Sequence, residues 1–232
     1  RLTLNFMKIK KENIYQYLFL LILTVMTLFN GGLKNLFIQY NFIIISIFFL
    51  QFIKEKNYYA HVKKIFIDNK IAIYLYFIFI GFLIFQTIPI PLEWLNFLSP
   101  EKYNYLVKME YIGNFNSITL SPVNSYFNIL NYLSLFLFLV IFKSLFYKKR
   151  DIVKFYFFLV LLGAFASSVA IYFYLIGNPD FLILKNYPSK ESATGFFYNR
   201  TVFSCFLSLC FFGGIEYLKL TDYYQKSNQD NF

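Results

Sequence analysis

Apolar residues run along this chain in six long stretches, separated by shorter segments rich in lysine, tyrosine, asparagine and proline. About 20 apolar residues in a helix cross a bilayer core of about 30 Å, because each residue advances the helix by 1.5 Å. The pattern therefore predicts an all-α fold, a polytopic transmembrane helix bundle within a single membrane domain, 1–232. The predicted spans are 14–29, 36–53, 71–88, 126–142, 152–176 and 201–218.

The first apolar stretch is short and follows the basic sequence "MKIKKE", so a secretory signal peptide is the alternative to a membrane span. It lacks a small-residue cleavage site, and a second apolar stretch begins only a few residues later. We therefore favour a helix that is retained. At the other end, the polar sequence "TDYYQKSNQDNF" is expected to be a frayed tail.

Lysine and arginine are divided unevenly between the two sides of these spans. With the N-terminus in the cytoplasm, sixteen of the 22 Lys and Arg residues fall on the cytoplasmic side and six on the other. Short cytoplasmic loops of membrane proteins carry an excess of these residues. The distribution predicts that both termini are cytoplasmic and that the long loops at 89–124 and 177–199 lie outside.

The first of these outer loops carries the signals of two helix starts. Ser99-Pro100 and Ser121-Pro122 each place a hydroxyl residue before a proline, which suits the cap and first position of a helix. Trp94 and several tyrosines flank apolar residues nearby, a pattern typical of segments at the membrane surface. We expect a short interfacial helix after Ser99 and the fourth span after Ser121.

The composition fits a membrane protein, with 58% hydrophobic, 24% aromatic and only 15% charged residues. The net charge of +10 lies in short clusters between apolar stretches rather than on one basic face, so no nucleic-acid partner is expected. Cys205 and Cys210 fall on different helix faces, and no metal-ligand motif occurs, so neither a disulfide nor a metal or cofactor is expected. His61 lies in a lysine-rich loop, where we interpret it as a solvated surface residue.

Arg200, which follows Asn199, places a guanidinium directly before the predicted sixth span. A helix N-terminus is partly positive, so a cation there is unfavourable by about 0.3–1 kcal/mol. The same two features together favour an anion, and Gly195 could let the loop backbone approach such a ligand. The alternative is that Arg200 extends to a lipid phosphate and Asn199 merely caps the helix.

Three ordered segments share motifs with a known family. "SATGFFYNRTVFSCFLSL" resembles the G-x-F-x-N-R/P-N-x-F-A element of the O-antigen ligase and polymerase family, membrane glycosyltransferases acting on polyprenyl-diphosphate-linked glycans. "FQTIPIPLEWLNFLSPEKYNYL" is similar to the family segment Q-x-x-P-x-P-x-x-L-x-x-L-S-P. "TLSPVNSYFNILNYLSLFLFLVIF" is similar to its S-x-x-P-x-x-T-x-x-x-L pattern. Thr201 replaces the second Asn of the first element, so no role is assigned to that position.

The resemblance implies transfer or polymerisation of glycan from an undecaprenyl-diphosphate carrier at the periplasmic face of the bacterial inner membrane. The acceptor would be another glycan or the lipid A core of lipopolysaccharide, and membrane lipids surround the chain. Arg200 would be the catalytic contact to the diphosphate. Asn199 would orient Arg200 or the loop, Tyr198 would line the sugar path, and Gly195 would complete the substrate-binding residues.

Family members commonly have more spans and an outer histidine in their second half, so the resemblance implies the front half of a longer protein. The alternative function is a non-catalytic membrane subunit or a transporter of lipid-linked saccharides, since the single histidine, His61, is predicted to be cytoplasmic. A membrane sensor is a third possibility, disfavoured because no cytoplasmic domain is apparent.

Overall fold

The computed structural model describes residues 2–28, 35–178, 192–197 and 199–229, and this part of the chain is predominantly helical. The predicted all-α fold is confirmed. In chain order the elements are α1 (Leu2–Leu28), α2 (Asn35–Lys54), α3 (Lys56–Asp68), α4 (Lys70–Thr87), β1 (Pro89–Pro91), α5 (Leu92–Leu98), α6 (Pro100–Lys108), β2 (Phe115–Ser117), α7 (Pro122–Leu145), α8 (Lys149–Leu175) and α9 (Arg200–Gln229).

Five of these helices are long and apolar enough to cross a membrane: α2, α4, α7, α8 and α9. In α4 only 11% of the spanning residues are buried inside the structure, so most of its apolar side chains face outward, as lipid contact requires. The chain is therefore a multi-pass membrane protein. The apolar part of α1, Asn13–Leu28, is shorter than the other candidate spans.

Two helices extend beyond the predicted spans. Helix α1 begins at Leu2, well before the predicted Ile14, and α9 continues to Gln229, through most of the segment expected to fray. Neither extension contains glycine or proline, so nothing in the sequence interrupts the backbone hydrogen bonds there. The prediction of a frayed tail from residue 221 was wrong as far as Gln229.

The lysine-rich segment between the second and third spans is a helix, α3, where the sequence analysis expected a loop. Tyr58 and Val62, one turn apart, are its buried residues, and the Tyr58 ring stacks on Phe52 of α2 with 4.3 Å between centroids. Lys56, Lys63, Lys64 and Asp68 interrupt the apolar residues of this helix, so the stripe is hard to see in the sequence. His61 lies on α3 and is partly exposed, so the predicted loop was wrong, whereas contact of His61 with solvent is not contradicted.

The described residues form two compact units, the first comprising Arg1–Phe37 and Phe142–Phe232 and the second Ile38–Ile141. In the second unit, β1 and β2 pair antiparallel with Pro89 opposite Ser117. This pairing brings together the two ends of the segment that contains α5 and α6. Helices begin at Pro100 and Pro122, which confirms both predicted starts. The Ser99 hydroxyl, however, makes no capping hydrogen bond.

In the first unit, α8 and α9 pack closely along a stripe of small residues. A Cβ added to Gly163 of α8 would lie 2.6 Å from the Cβ of Cys210 on α9, so only a glycine fits there. The hydroxyl of Ser167 donates to the carbonyl of Gly163 at 2.8 Å, within its own helix. The fifth span carries a patch of small residues, a pattern that predicts close helix packing, and the structure confirms it at Gly163; the patch is Gly163, Ala164, Ala166, Ser167 and Ser168.

Candidate functional site

The start of α9 is built around Asn199. Its side-chain Oδ1 accepts a hydrogen bond from the backbone N–H of Thr201 at 2.8 Å, and its own carbonyl accepts from the N–H of Phe203 at 3.0 Å. These two contacts make Asn199 the N-cap and Arg200 the first residue of the helix. The capping role, one of the two alternatives for Asn199, is thus observed in the structure.

Arg200 is exposed at this helix end. Its carbonyl accepts a hydrogen bond from the Ser204 hydroxyl at 2.9 Å, while no described residue forms a hydrogen bond or ion pair with its guanidinium. The positive charge therefore lies beside the partly positive end of α9 without compensation from the described part of the chain. The chemistry of such an arrangement is suited to anions, phosphate groups in particular, and anion binding at Arg200 stays a prediction.

Gly195 takes the left-handed conformation that the sequence analysis allowed for it, with φ of +56°. It is buried, and a Cβ added to it would lie 3.1 Å from both Cα and Cβ of Ala170 on α8. The side of Gly195 that lacks a side chain therefore faces a helix. The glycine lets the loop turn against α8, and its predicted role beside a ligand stays a prediction.

An apolar cluster that the sequence analysis did not identify holds this loop in place. Phe197 is only 3% exposed and packs with Ala166 and Ala170 of α8 and with Phe203 of α9. The rings of Phe197 and Phe203 lie 5.2 Å apart. Ala166 and Ala170, one helical turn apart, are the feature of the sequence that could have indicated a surface for close packing on α8. Tyr198, the predicted lining residue of the sugar path, lies outside the described residues.

Comparison with known proteins gives no relative on which to base an assignment. No family model, curated protein or solved structure matches this chain. The resemblance to O-antigen ligases and polymerases therefore stays a prediction.

A second polar cluster occurs in the unit Ile38–Ile141, around Lys102 of α6. The side chain is buried, and its ammonium donates to the carbonyl and hydroxyl of Ser117 and, at 2.5 Å, to the carbonyl of Thr119. Burial lowers the pKa of Lys102 below its ordinary value. The sequence placed this residue in an outer loop and gave no sign that it ties α6 to the segment leading into α7.

Acidic side chains suited to proton transfer are scarce on the predicted outer side of the membrane. Glu101 lies in the first turn of α6, where its negative charge interacts favourably with the partly positive helix end. Glu93 and Glu110 are exposed. Asp180 and Glu191 lie outside the described residues. Among the described residues, no group of three or more His, Cys, Asp or Glu side chains is placed to hold a metal ion.

Five polar side chains within the second and fourth spans can either form hydrogen bonds between helices or line a groove for the lipid carrier. The structure shows none of these bonds with described residues, and four of the five side chains are exposed. The five polar residues are Gln39, Asn41, Gln51, Asn128 and Asn131.

Both thiols of α9 are free, that of Cys205 exposed and that of Cys210 buried.

Proposed function

We propose that this chain is an O-antigen ligase-like or polymerase-like membrane protein of cell-surface polysaccharide assembly. It takes part in glycan transfer from an undecaprenyl-diphosphate carrier at the periplasmic face of a bacterial inner membrane, with both termini in the cytoplasm. One observation carries the proposal: the exposed guanidinium of Arg200 stands at the N-terminus of membrane helix α9 without an ionic partner among the described residues.

The chemistry of the transfer explains why such a group is needed. When the bond between sugar and diphosphate breaks, negative charge develops on the leaving lipid diphosphate. A guanidinium can accept two phosphate oxygens side by side, and the dipole of α9 adds positive potential from the same direction. Electrostatic stabilisation of this kind is commonly the largest single contribution to catalysis.

The neighbouring residues act by fixing where Arg200 stands. Asn199 sets the first turn of α9 through its hydrogen bond to Thr201, so it is a positioning residue. Gly195 and Phe197 hold the preceding loop against α8. In this proposal Tyr198 lines the path of the sugar. The acceptor is a second glycan or the lipid A core.

The experiment measures the surface polysaccharide made by cells whose own copy of the gene carries each variant. Arg200→Ala should abolish transfer, and Arg200→Lys should retain part of it, because an ammonium keeps the charge but loses the paired contact. Lys219→Ala is the matched control, since Lys219 lies on the same helix, is exposed, and pairs only at the surface with Glu216 at 2.8 Å. Surface polysaccharide is measured by gel electrophoresis and protein level by immunoblot.

Normal polysaccharide from cells that express Arg200→Ala at the wild-type level would refute the proposed role of Arg200. Carrier binding by the wild type without any effect of the variants on transfer would instead favour the alternative, a transporter or non-catalytic subunit.

A further inference from the structure

A groove of about 450 Å³ runs between α1 and α8 in the unit formed by Arg1–Phe37 and Phe142–Phe232. Its walls are mainly apolar, with Leu20 and Leu21 contributed by α1 and Phe157 and Leu161 by α8. Lys154 of α8 also lines it, so the groove combines an apolar channel with a cation.

The cation does not stand alone. Arg150 lies four residues before Lys154, and residues at this spacing share a helix face. The face continues to Phe157 and Leu161, so α8 presents two cations followed by two apolar groove residues along one line. Arg150 is exposed, and no described residue forms an ion pair with it.

An internal partner offsets only part of this charge. The Lys154 ammonium lies 3.2 Å from a carboxylate oxygen of Asp151, whose side chain is 7% exposed, while 48% of the Lys154 side chain remains open. Within residues 148–154 of the sequence, Asp151 is the single acid beside Lys148, Lys149, Arg150 and Lys154. The formal charge of this segment is therefore net positive, and Arg150 and Lys154 are the cations on the groove face.

The length of α8 places this positive end near the headgroups of a bilayer. A helix of 27 residues is about 40 Å long, whereas the hydrocarbon core is about 30 Å thick, so the terminal turns lie outside the core. The apolar part of the groove then lies at the depth of the acyl chains, and Lys154 can extend its ammonium towards the phosphates.

We infer that this groove is a binding site for an anionic bilayer phospholipid. One acyl chain occupies the channel between Leu20, Leu21 and Leu161, and the headgroup phosphate contacts Lys154 and Arg150. Charge complementarity selects anionic over zwitterionic lipids, as in other basic pockets between membrane helices. The site lies towards the opposite end of α8 from Ala170, against which Gly195 packs, and it does not depend on the proposed glycan transfer.

The test is lipid titration of the purified full chain in detergent, with bound lipid counted by native mass spectrometry. The probes are phosphatidylglycerol and phosphatidylcholine with identical acyl chains. The wild type should bind phosphatidylglycerol preferentially. The variant Arg150→Gln/Lys154→Gln should lose roughly fivefold in phosphatidylglycerol affinity for each cation removed, with little change for phosphatidylcholine.

Two further variants distinguish the effect of the positive charge and the effect of the apolar channel from a general loss of folding. Lys154→Arg keeps the charge and should keep the preference, whereas Leu161→Trp fills the channel and should weaken both lipids alike. Lys219→Gln is the matched control, because Lys219 has the same spacing to its acid, Glu216, as Lys154 has to Asp151, but lines no part of this groove. Circular dichroism verifies that each variant retains its helix content.

The inference is wrong if the wild type binds the two lipids equally. It is also wrong if Arg150→Gln/Lys154→Gln, folded as the wild type, keeps the full preference for phosphatidylglycerol. Because no readout here involves glycan transfer, failure of this inference is distinct from failure of the proposed function.

Discussion

Replacing Gly163 by alanine tests the packing that holds α8 against α9. The added Cβ would lie 2.6 Å from the Cβ and 3.0 Å from the Sγ of Cys210, about 0.8 Å short of the 3.4 Å at which ordinary contact begins. Since the Cβ of Cys210 is fixed to its backbone, rotation of the side chain cannot relieve the closer contact. The helices have to move apart.

The expected cost follows from two opposing contributions. Overpacking of a well-fitted interior costs about 1–3 kcal/mol. Replacement of a mid-helix glycine by alanine returns about 0.5–1 kcal/mol through backbone entropy. Gly163→Ala should therefore lower the free energy of unfolding by up to about 2.5 kcal/mol relative to wild type, and by about 1–3 kcal/mol relative to an alanine substitution at an unobstructed helix glycine. Gly81→Ala, in α4, is the matched control, because a Cβ there meets nothing within 4 Å, and it should be neutral or slightly stabilising.

The assay is thermal unfolding in detergent, followed by far-UV circular dichroism, together with labelling of Cys210 by a lipophilic maleimide in a Cys205→Ser background. Cys210 is 6% exposed, so its labelling should be slow in the wild type and faster in Gly163→Ala. In a Cys210→Gly background the cost of Gly163→Ala should disappear, because the clashing atom is gone. If Gly163→Ala is as stable as Gly81→Ala in every background, α8 and α9 do not meet at Gly163.

The other predictions concern Asn199, Lys102 and Trp94, which lie in the two loops predicted to be outside. Asn199→Ala should cost about 0.5–2 kcal/mol in thermal unfolding through loss of the cap to Thr201, and Asn199→Ser should restore most of it; equal stability of all three proteins would contradict the capping geometry. Lys102→Met should destabilise by about 1–3 kcal/mol, because the carbonyls of Ser117 and Thr119 lose their donor. Burial lowers the pKa of Lys102 in the folded protein, so between that pKa and the ordinary value of 10.5 the unfolded chain binds more protons than the folded one. The stability of the wild type relative to Lys102→Met should therefore rise with pH in that window. A stability difference that does not change with pH would contradict this prediction. Trp94 is the single tryptophan and its side chain is 65% exposed, so its fluorescence in vesicles should be quenched most by lipids brominated near the headgroup; quenching chiefly by aqueous iodide would contradict an interfacial position.

The hydrophobic pattern was sufficient for the fold class because a membrane span needs about 20 consecutive apolar residues, a signal that charged neighbours do not obscure. Helix starts at Pro100 and Pro122 were equally visible, since proline suits the first helical position. Helix α3 was missed because its apolar stripe, Tyr58 and Val62, is short and surrounded by lysines. Its burial depends on Phe52, a contact that local sequence does not reveal.

Part of the candidate site could likewise be predicted from the sequence, and part depends on contacts between distant segments. Glycine can take positive φ without strain, and the structure has Gly195 in that conformation. The surface that Gly195 approaches, Ala170 of α8, depends on how two helices pair and could not be obtained from either segment alone. For Lys102, the acceptors come from Ser117 and Thr119, across a two-strand pairing that the sequence analysis did not predict.

The most direct measurement of the central claim is the affinity of the purified chain for an undecaprenyl-diphosphate-linked saccharide, compared between wild type and Arg200→Ala. A hydrogen bond between charged groups contributes about 1.5–3 kcal/mol, so the variant should bind at least about tenfold more weakly, with Lys219→Ala unchanged. Undecaprenol without the diphosphate should bind both proteins alike. Equal affinity of wild type and Arg200→Ala for the diphosphate carrier would contradict the account.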